Sequence, residues 1–216
     1  MSNYIIALDG PSGSGKSTIA NLLANKLKIS YLNTGSMYRA LTLYFLENNI
    51  KKSDTIDKKI LKKINIDINE NKVLLNGKDV SKEIRDKEVT ENVSWVSSIP
   101  IVREYLVEMQ RNISNNKSII LDGRDIGTVV FPNAKYKFYL VASSYVRAKR
   151  RFEQNEIDKS FEEIKEDIEK RDYLDSHREI SPLKKAEDAI EIDSSDLTID
   201  QTIEKILEKM DKEDVL

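Results

Sequence analysis

The residues most able to do chemistry lie near the start of the chain. Gly10-Pro11-Ser12-Gly13-Ser14-Gly15-Lys16-Ser17 matches the phosphate-cradling pattern G-x-x-x-x-G-K-[ST] at every fixed position, and Thr18 follows at once. In such a loop the glycines let successive backbone N–H groups turn inward around a polyphosphate, and the positive end of the next helix points at the same anion. Lys16 is then placed to reach the β- and γ-phosphates, and the Ser17 hydroxyl to ligate Mg²⁺. The expected ligand is a nucleoside triphosphate bound with Mg²⁺.

Elements of the right kind flank the loop. Tyr4 to Leu8 is a short apolar run suited to a buried parallel strand, and Ile19, Leu22, Leu23 and Leu27 follow at helical spacing. Further strands are expected at Tyr31–Asn33, Ser118–Asp122, Lys137–Val141 and Ala189–Asp193. Helices are expected over Ser36–Asn48, over Lys87–Asn115 with a break at Pro100, over Ser160 to about Leu174, and after the Thr198–Gln201 capping box. Alternating strands and helices predict an α/β fold, a parallel sheet with helices on both faces. Asn76-Gly77, between short apolar runs, predicts a hairpin inside a small α+β insertion over about 50–90. The charged stretch 144–185 reads as a helical lid. All of this is expected within one domain of 216 residues, with the core at 1–49, 91–143 and 186–216.

Composition narrows the chemistry. There is no cysteine, so disulfides and thiolate catalysis are excluded, which suits a cytoplasmic protein. Neither a secretory pattern nor an apolar run of membrane-spanning length occurs. A net charge of −2 offers no broad cationic surface to a nucleic-acid backbone, so small anions held at one place are the expected partners. Only ten of the 35 basic residues are arginine. Their rigid donor forks suit phosphate oxygens better than an ammonium does, which draws attention to where they sit.

Asp122-Gly123-Arg124-Asp125-Ile126-Gly127 directly follows an expected strand, at the sheet edge where ligands of such folds bind. Asp122 can serve Mg²⁺ there and Arg124 can fork onto phosphate. Thr34, Tyr38 and Arg39 also follow a strand and offer a second anion site. Arg147, Arg150 and Arg151 share one helical face, and Arg171, Asp175 and Arg178 repeat the spacing. Arginines on a movable lid suit phosphoryl transfer, in which charge spreads over the equatorial oxygens of the moving group. His177, the single histidine, reads as a lid surface residue.

With these motifs in hand, the sequence resembles the bacterial cytidylate (CMP) kinase family from the phosphate loop to the last helix. The resemblance rests on Asp9–Ser17, on Thr34-Gly35-Ser36-Met37-Tyr38-Arg39, on the run from Asp122 to Pro132, and on Ser181-Pro182-Leu183-Lys184 with Ala189–Asp193. It implies a P-loop nucleoside monophosphate kinase that makes CDP and dCDP from CMP and dCMP with Mg·ATP, in pyrimidine nucleotide metabolism. By the same resemblance 50–90 is the monophosphate-binding insert and 144–185 the lid. Thr34, Arg39 and Arg124 would hold the acceptor phosphate, with Tyr38 beside them. Ser94, Arg103, Asp125 and Arg178 would read cytosine, and Arg171 and Asp175 would lie near the ribose or the transferring phosphate. Lys16, Arg124, Arg151 and Arg178 would neutralise charge during transfer, with Ser17 and Asp122 on the metal. Leu174, Ser176 and His177 stand where the family carries further polar lid residues. A monomer is expected. The alternatives are a kinase of the same fold acting on UMP or a non-nucleotide acid, and a GTP switch. The switch is disfavoured because no Asn-Lys-x-Asp guanine-reading motif occurs.

Overall fold

The computed structural model describes residues 3–69, 72–154 and 159–215; parts of the expected insert (70–71) and lid (155–158) lie outside them. The chain divides into two compact units, Met1–Tyr31 with Asn116–Leu216, and Leu32–Asn115.

The first unit is built on β1 (Ile5–Asp9), the start of β2 (Ser30–Asn33), β6 (Ile119–Gly123), β7 (Tyr136–Val141) and β8 (Ile190–Asp193), in the sheet order β2-β6-β1-β7-β8. β1 lies parallel to both β6 and β7, and β7 parallel to β8. Ile6, Leu8, Ile120, Phe138 and Leu140 bury against Ile19 and Leu23 of α1 (Lys16–Leu27) and Ile203 and Ile206 of α8 (Ile199–Leu207). Burying such side chains is worth about 1.5–3 kcal/mol each, and the parallel strands read as continuous apolar runs because both their faces are covered. The register Asp9↔Gly123 and Asp9↔Tyr139 then brings the carboxyl ends of β1, β6 and β7 to one edge.

Two further helices of this unit carry the arginines. α6 (Ser144–Glu153) is capped by the Ser143 hydroxyl, which accepts from the Val146 N–H. α7 (Phe161–His177) opens on the capping box formed by Ser160 and Glu163, and it ends three residues beyond the expected Leu174. Between β6 and β7 the sequence marks ligand-binding residues but no regular element. Instead Ile126–Val130 forms one π-helical turn.

The second unit packs α2 (Thr34–Glu47), α3 (Lys58–Leu61), α4 (Lys87–Ser98) and α5 (Pro100–Ile113) with the antiparallel sheet β3 (Ile66–Asn69), β4 (Lys72–Leu75) and β5 (Lys78–Asp79). Asn76 and Gly77 both take positive φ, 50° and 84°, as a tight hairpin between right-twisted strands demands. β3 was not anticipated. The expected break at Pro100 is present: α4 ends at Ser98 and Pro100 begins α5, which suits a residue without an N–H to donate.

Candidate active site

The phosphate loop joins β1 to α1, and its entry is fixed by packing. Gly10 has φ 149°, and a Cβ there would stand 2.1 Å from the Leu140 carbonyl oxygen, so only glycine lets the chain pass β7 this closely. Lys16 is the first residue of α1 and is buried. Its Nζ donates to the Pro11 carbonyl at 2.6 Å and to Ser14 Oγ at 3.3 Å. Burial first, and then the neighbouring Arg124 guanidinium, pull its pKa well below the usual lysine value, against the opposing pull of Asp122 and Asp9.

Asp122, at the end of β6, comes to the same edge. It accepts from the Ser17 hydroxyl at 2.7 Å and the Tyr31 hydroxyl at 2.9 Å. Burial pushes its pKa up while those two bonds and Lys16 oppose the rise. A hydroxyl and a carboxylate in contact form a hard oxygen donor pair, the kind Mg²⁺ takes alongside phosphate oxygens.

Three arginines and two carboxylates complete the edge in this unit. Arg124 Nε donates to Asp175 Oδ2 at 2.9 Å, Arg178 lies 3.9 Å from Asp175 Oδ1, and Arg178 also lies 3.9 Å from the buried Asp125. Burial would raise the Asp175 pKa, but Arg124, Arg171 and Arg178 together hold it below the usual carboxylate range. Arg171 is pushed down to about 10 by burial and by Arg124, and its Nε is buried without a hydrogen-bond partner among the described residues. Arg151 lies near enough to add to that repulsion. Like charges are crowded here.

The remaining expected residues lie in the second unit. Thr34 opens α2, whose cap is the Asn33 side chain accepting from the Ser36 N–H. Arg39 donates to the Ile84 carbonyl and to Thr90 Oγ1, both at 2.9 Å. The buried Arg103 lies over the Tyr38 ring, 5.3 Å from its centroid, and donates to the Ser97 carbonyl one turn beyond Ser94. His177 is exposed and stacks on Tyr173 with centroids 4.0 Å apart.

Sequence reasoning missed what two of the α6 arginines do. Arg147 is buried: it donates to the Ala142 and Ser12 carbonyls at 2.9 and 2.8 Å and pairs with Asp172 at 2.6 Å. Asp172 in turn accepts from the Ser12 N–H at 3.2 Å, so α6 and α7 are stapled to the loop backbone. Arg150 binds Ser194, which contacts the Ser14 carbonyl. Only a tertiary partner distinguishes these arginines from solvated ones. Arg147→Ala is expected to cost about 2–3 kcal/mol by stranding Asp172, lowering the melting temperature by roughly 5–10 °C. A calorimetric melt within about a degree of wild type would contradict this role.

Asp9 was likewise quoted only as part of a motif. Its buried carboxylate accepts from the Ile126 N–H at 2.9 Å and the Gly127 N–H at 2.7 Å. Burial raises its pKa from 3.8 to about 6; those two bonds and Lys16 oppose the rise and Asp125 adds to it. A raised folded value means that folding favours the protonated form. The associated stability is fully present below pH 3.8 and is lost as pH climbs through about 6. Urea unfolding should therefore show wild type gaining about 2 kcal/mol on Asp9→Asn between roughly pH 7 and pH 4, and parallel curves would refute it.

Comparison with known proteins agrees with this geometry. The family model described as cytidylate kinase matches residues 6–212. The chain is 53% identical to a cytidylate kinase of Fusobacterium nucleatum over 98% of this chain and 99% of that protein. It is 49% identical to one from Clostridium botulinum (95% and 97%) and 50% identical to one from Lactobacillus johnsonii (97% and 96%). Among solved structures, an uncharacterized protein from Eubacterium ventriosum aligns with TM-score 0.52 at 15% identity, covering 97% of this chain and 99% of that one. A gluconokinase from Sinorhizobium meliloti aligns with TM-score 0.50 at 10% identity, covering 96% and 90%; at such identities only the fold is shared. A phosphate loop and an Arg124–Asp125 turn on one sheet edge, with a matching family model over nearly the whole length, lead to one conclusion: the chain belongs to the cytidylate kinase family.

Proposed function

We propose that this protein transfers the γ-phosphoryl group of ATP to the phosphate of CMP or dCMP, giving ADP with CDP or dCDP. The observation that carries the reading is the crowding of cations at the end of the parallel strands: burial first, and then the neighbouring Arg124 guanidinium, pull the pKa values of Lys16 and Arg171 down. Asp9, Asp122, Asp172 and Asp175 offset these cations only in part, and two phosphate chains meeting there relieve the remaining repulsion.

The acceptor phosphate has a second pKa near ~6, so at neutral pH it is already largely a dianion and needs no general base. Its oxygen forms the new bond to the γ-phosphorus as the bond to the β–γ bridging oxygen breaks, and ADP leaves with that electron pair. Lys16, Arg124, Arg151 and Arg178 hold the developing charge, and residues 10–18 cradle the donor phosphates. Ser17 and Asp122 would hold Mg²⁺, which would supply charge neutralisation on the donor phosphates. Thr34, Tyr38, Arg39 and Arg124 serve the acceptor phosphate; Ser94, Arg103, Asp125 and Arg178 serve cytosine; Arg171 and Asp175 serve the ribose or the transferring group. Asp125 accepts from the exocyclic amine of cytosine, where uracil presents an oxygen to the same carboxylate.

Residues 50–90 act as the monophosphate-binding insert and 144–185 as the lid. The protein works as a cytoplasmic monomer in pyrimidine nucleotide metabolism, without nucleic-acid or membrane partners. Among the described residues no helix is long and apolar enough to cross a membrane. Coupled detection of ADP against CMP, dCMP, UMP, AMP and shikimate tests the reading. Release should depend on the acceptor and be fastest with CMP or dCMP; release without regard to acceptor would overturn it.

A further inference from the structure

We propose that Asp9 is a positioning residue for acceptor recognition: it pegs the peptide that carries Asp125 to the strand end from which the phosphate loop springs. This rests on the reading of Asp125 as the group that meets the cytosine amine.

The peptide unit between Asp125 and Ile126 is held at both of its polar atoms. Its carbonyl oxygen accepts from the Val129 N–H at 2.9 Å and the Val130 N–H at 3.2 Å. Its N–H donates to Asp9 Oδ1 at 2.9 Å, and the next N–H, of Gly127, donates to Asp9 Oδ2 at 2.7 Å. Asp125 stands at the cap position of this π-helical turn, yet its own side chain makes no capping bond there. The capping is done by Asp9, from another strand. Asp125 is thereby spared the local task that aspartates usually take at such positions, and its carboxylate lies 3.9 Å from Arg178.

The peg itself has little room to move. The strand register sets Asp9 opposite Gly123 on one side and Tyr139 on the other, and Gly10 is packed onto the Leu140 carbonyl. Gly127 leaves little space beside it: a Cβ there would crowd Lys137 Cδ at 3.2 Å and come into van der Waals contact with Asp9 Oδ2 at 3.4 Å. A carboxylate at position 9 can accept from both N–H groups at once. A carboxamide turns one of its two ends into a donor facing a donor, which releases one side of the 125–126 peptide. Donor and acceptor recognition thus share one rigid point, and loosening it should misplace the base-reading carboxylate while leaving the loop's own backbone in place. A displacement of about 1 Å at such a group is enough to cost two orders of magnitude.

The test is steady-state kinetics on Asp9→Asn and Gly127→Ala, the second crowding the Gly127 peptide between Lys137 and Asp9 in case the first is poorly folded. Each should raise KM for CMP about ten-fold and erode the preference for CMP over UMP by a similar factor, with KM for ATP changed by less than about two-fold. A merely structural role would move both KM values together or neither. Asp125→Ala is measured alongside. Preference lost in Asp125→Ala but intact in the other two variants overturns the peg alone. Preference intact in all three overturns the base reading, and the peg with it.

Discussion

Lys16→Ala should lower turnover about a thousand-fold without lowering the melting temperature. The first half follows from position. Lys16 begins α1 inside the loop, where a single buried cation can follow charge from the γ-phosphate to the leaving β-phosphate, and no water can substitute for it. The second half follows from its titration. A lysine whose pKa is pulled down by burial and by Arg124 costs stability at neutral pH, because folding disfavours the charged form that the unfolded chain keeps. Alanine removes that cost and loses the bonds to the Pro11 carbonyl and Ser14 and the attraction of Asp122 and Asp9, which burial and Arg124 together outweigh. Coupled ADP release and a thermal melt on the same preparation check both halves. Turnover within ten-fold of wild type would remove Lys16 from the chemistry, and a melting temperature lower by several degrees would make it a structural residue.

Asp125→Ala should raise KM for CMP about a hundred-fold and collapse the preference over UMP, with a smaller effect on turnover. Asp125 is buried, so its carboxylate can be matched to a donor at the base edge and mismatched to an acceptor without water softening the difference. Alanine removes both the attraction for the cytosine amine and the repulsion toward the uracil oxygen. It also leaves Arg178 without the carboxylate 3.9 Å away, although Asp175 remains beside it. UMP should therefore gain while CMP loses. Competition between the two acceptors in one reaction reads the ratio directly, and an unchanged ratio would show that discrimination lies elsewhere.

The sequence made the chemistry plain where local pattern and chemistry coincide. Glycines and lysine at fixed spacing announce a phosphate loop, and the boxes at Ser160–Glu163 and Thr198–Gln201 form as their residue types predict. Apolar runs marked β1, β6 and β7 because strands covered on both faces need no alternation. β3 escaped notice because Ile66, Asp67 and Ile68 are too few to carry a period. The π-helical turn at Ile126–Val130 escaped for another reason: Asp9, more than a hundred residues away in the chain, caps it. Arg147 and Arg150 looked like neighbours of Arg151 on one helical face, but the carbonyls of Ser12 and Ser194 take them, and no local signal announces that.

The central claim is that the loop around Lys16 and the turn around Arg124 and Asp125 serve a single transfer. The most direct measurement is calorimetric binding of a bisubstrate compound, adenosine and cytidine joined 5′ to 5′ by a polyphosphate long enough to span both phosphate chains. It should bind at least about a hundred-fold tighter than ATP or CMP alone, and Lys16→Ala and Asp125→Ala should each abolish that gain. Binding no tighter than that of the better single nucleotide would contradict the account.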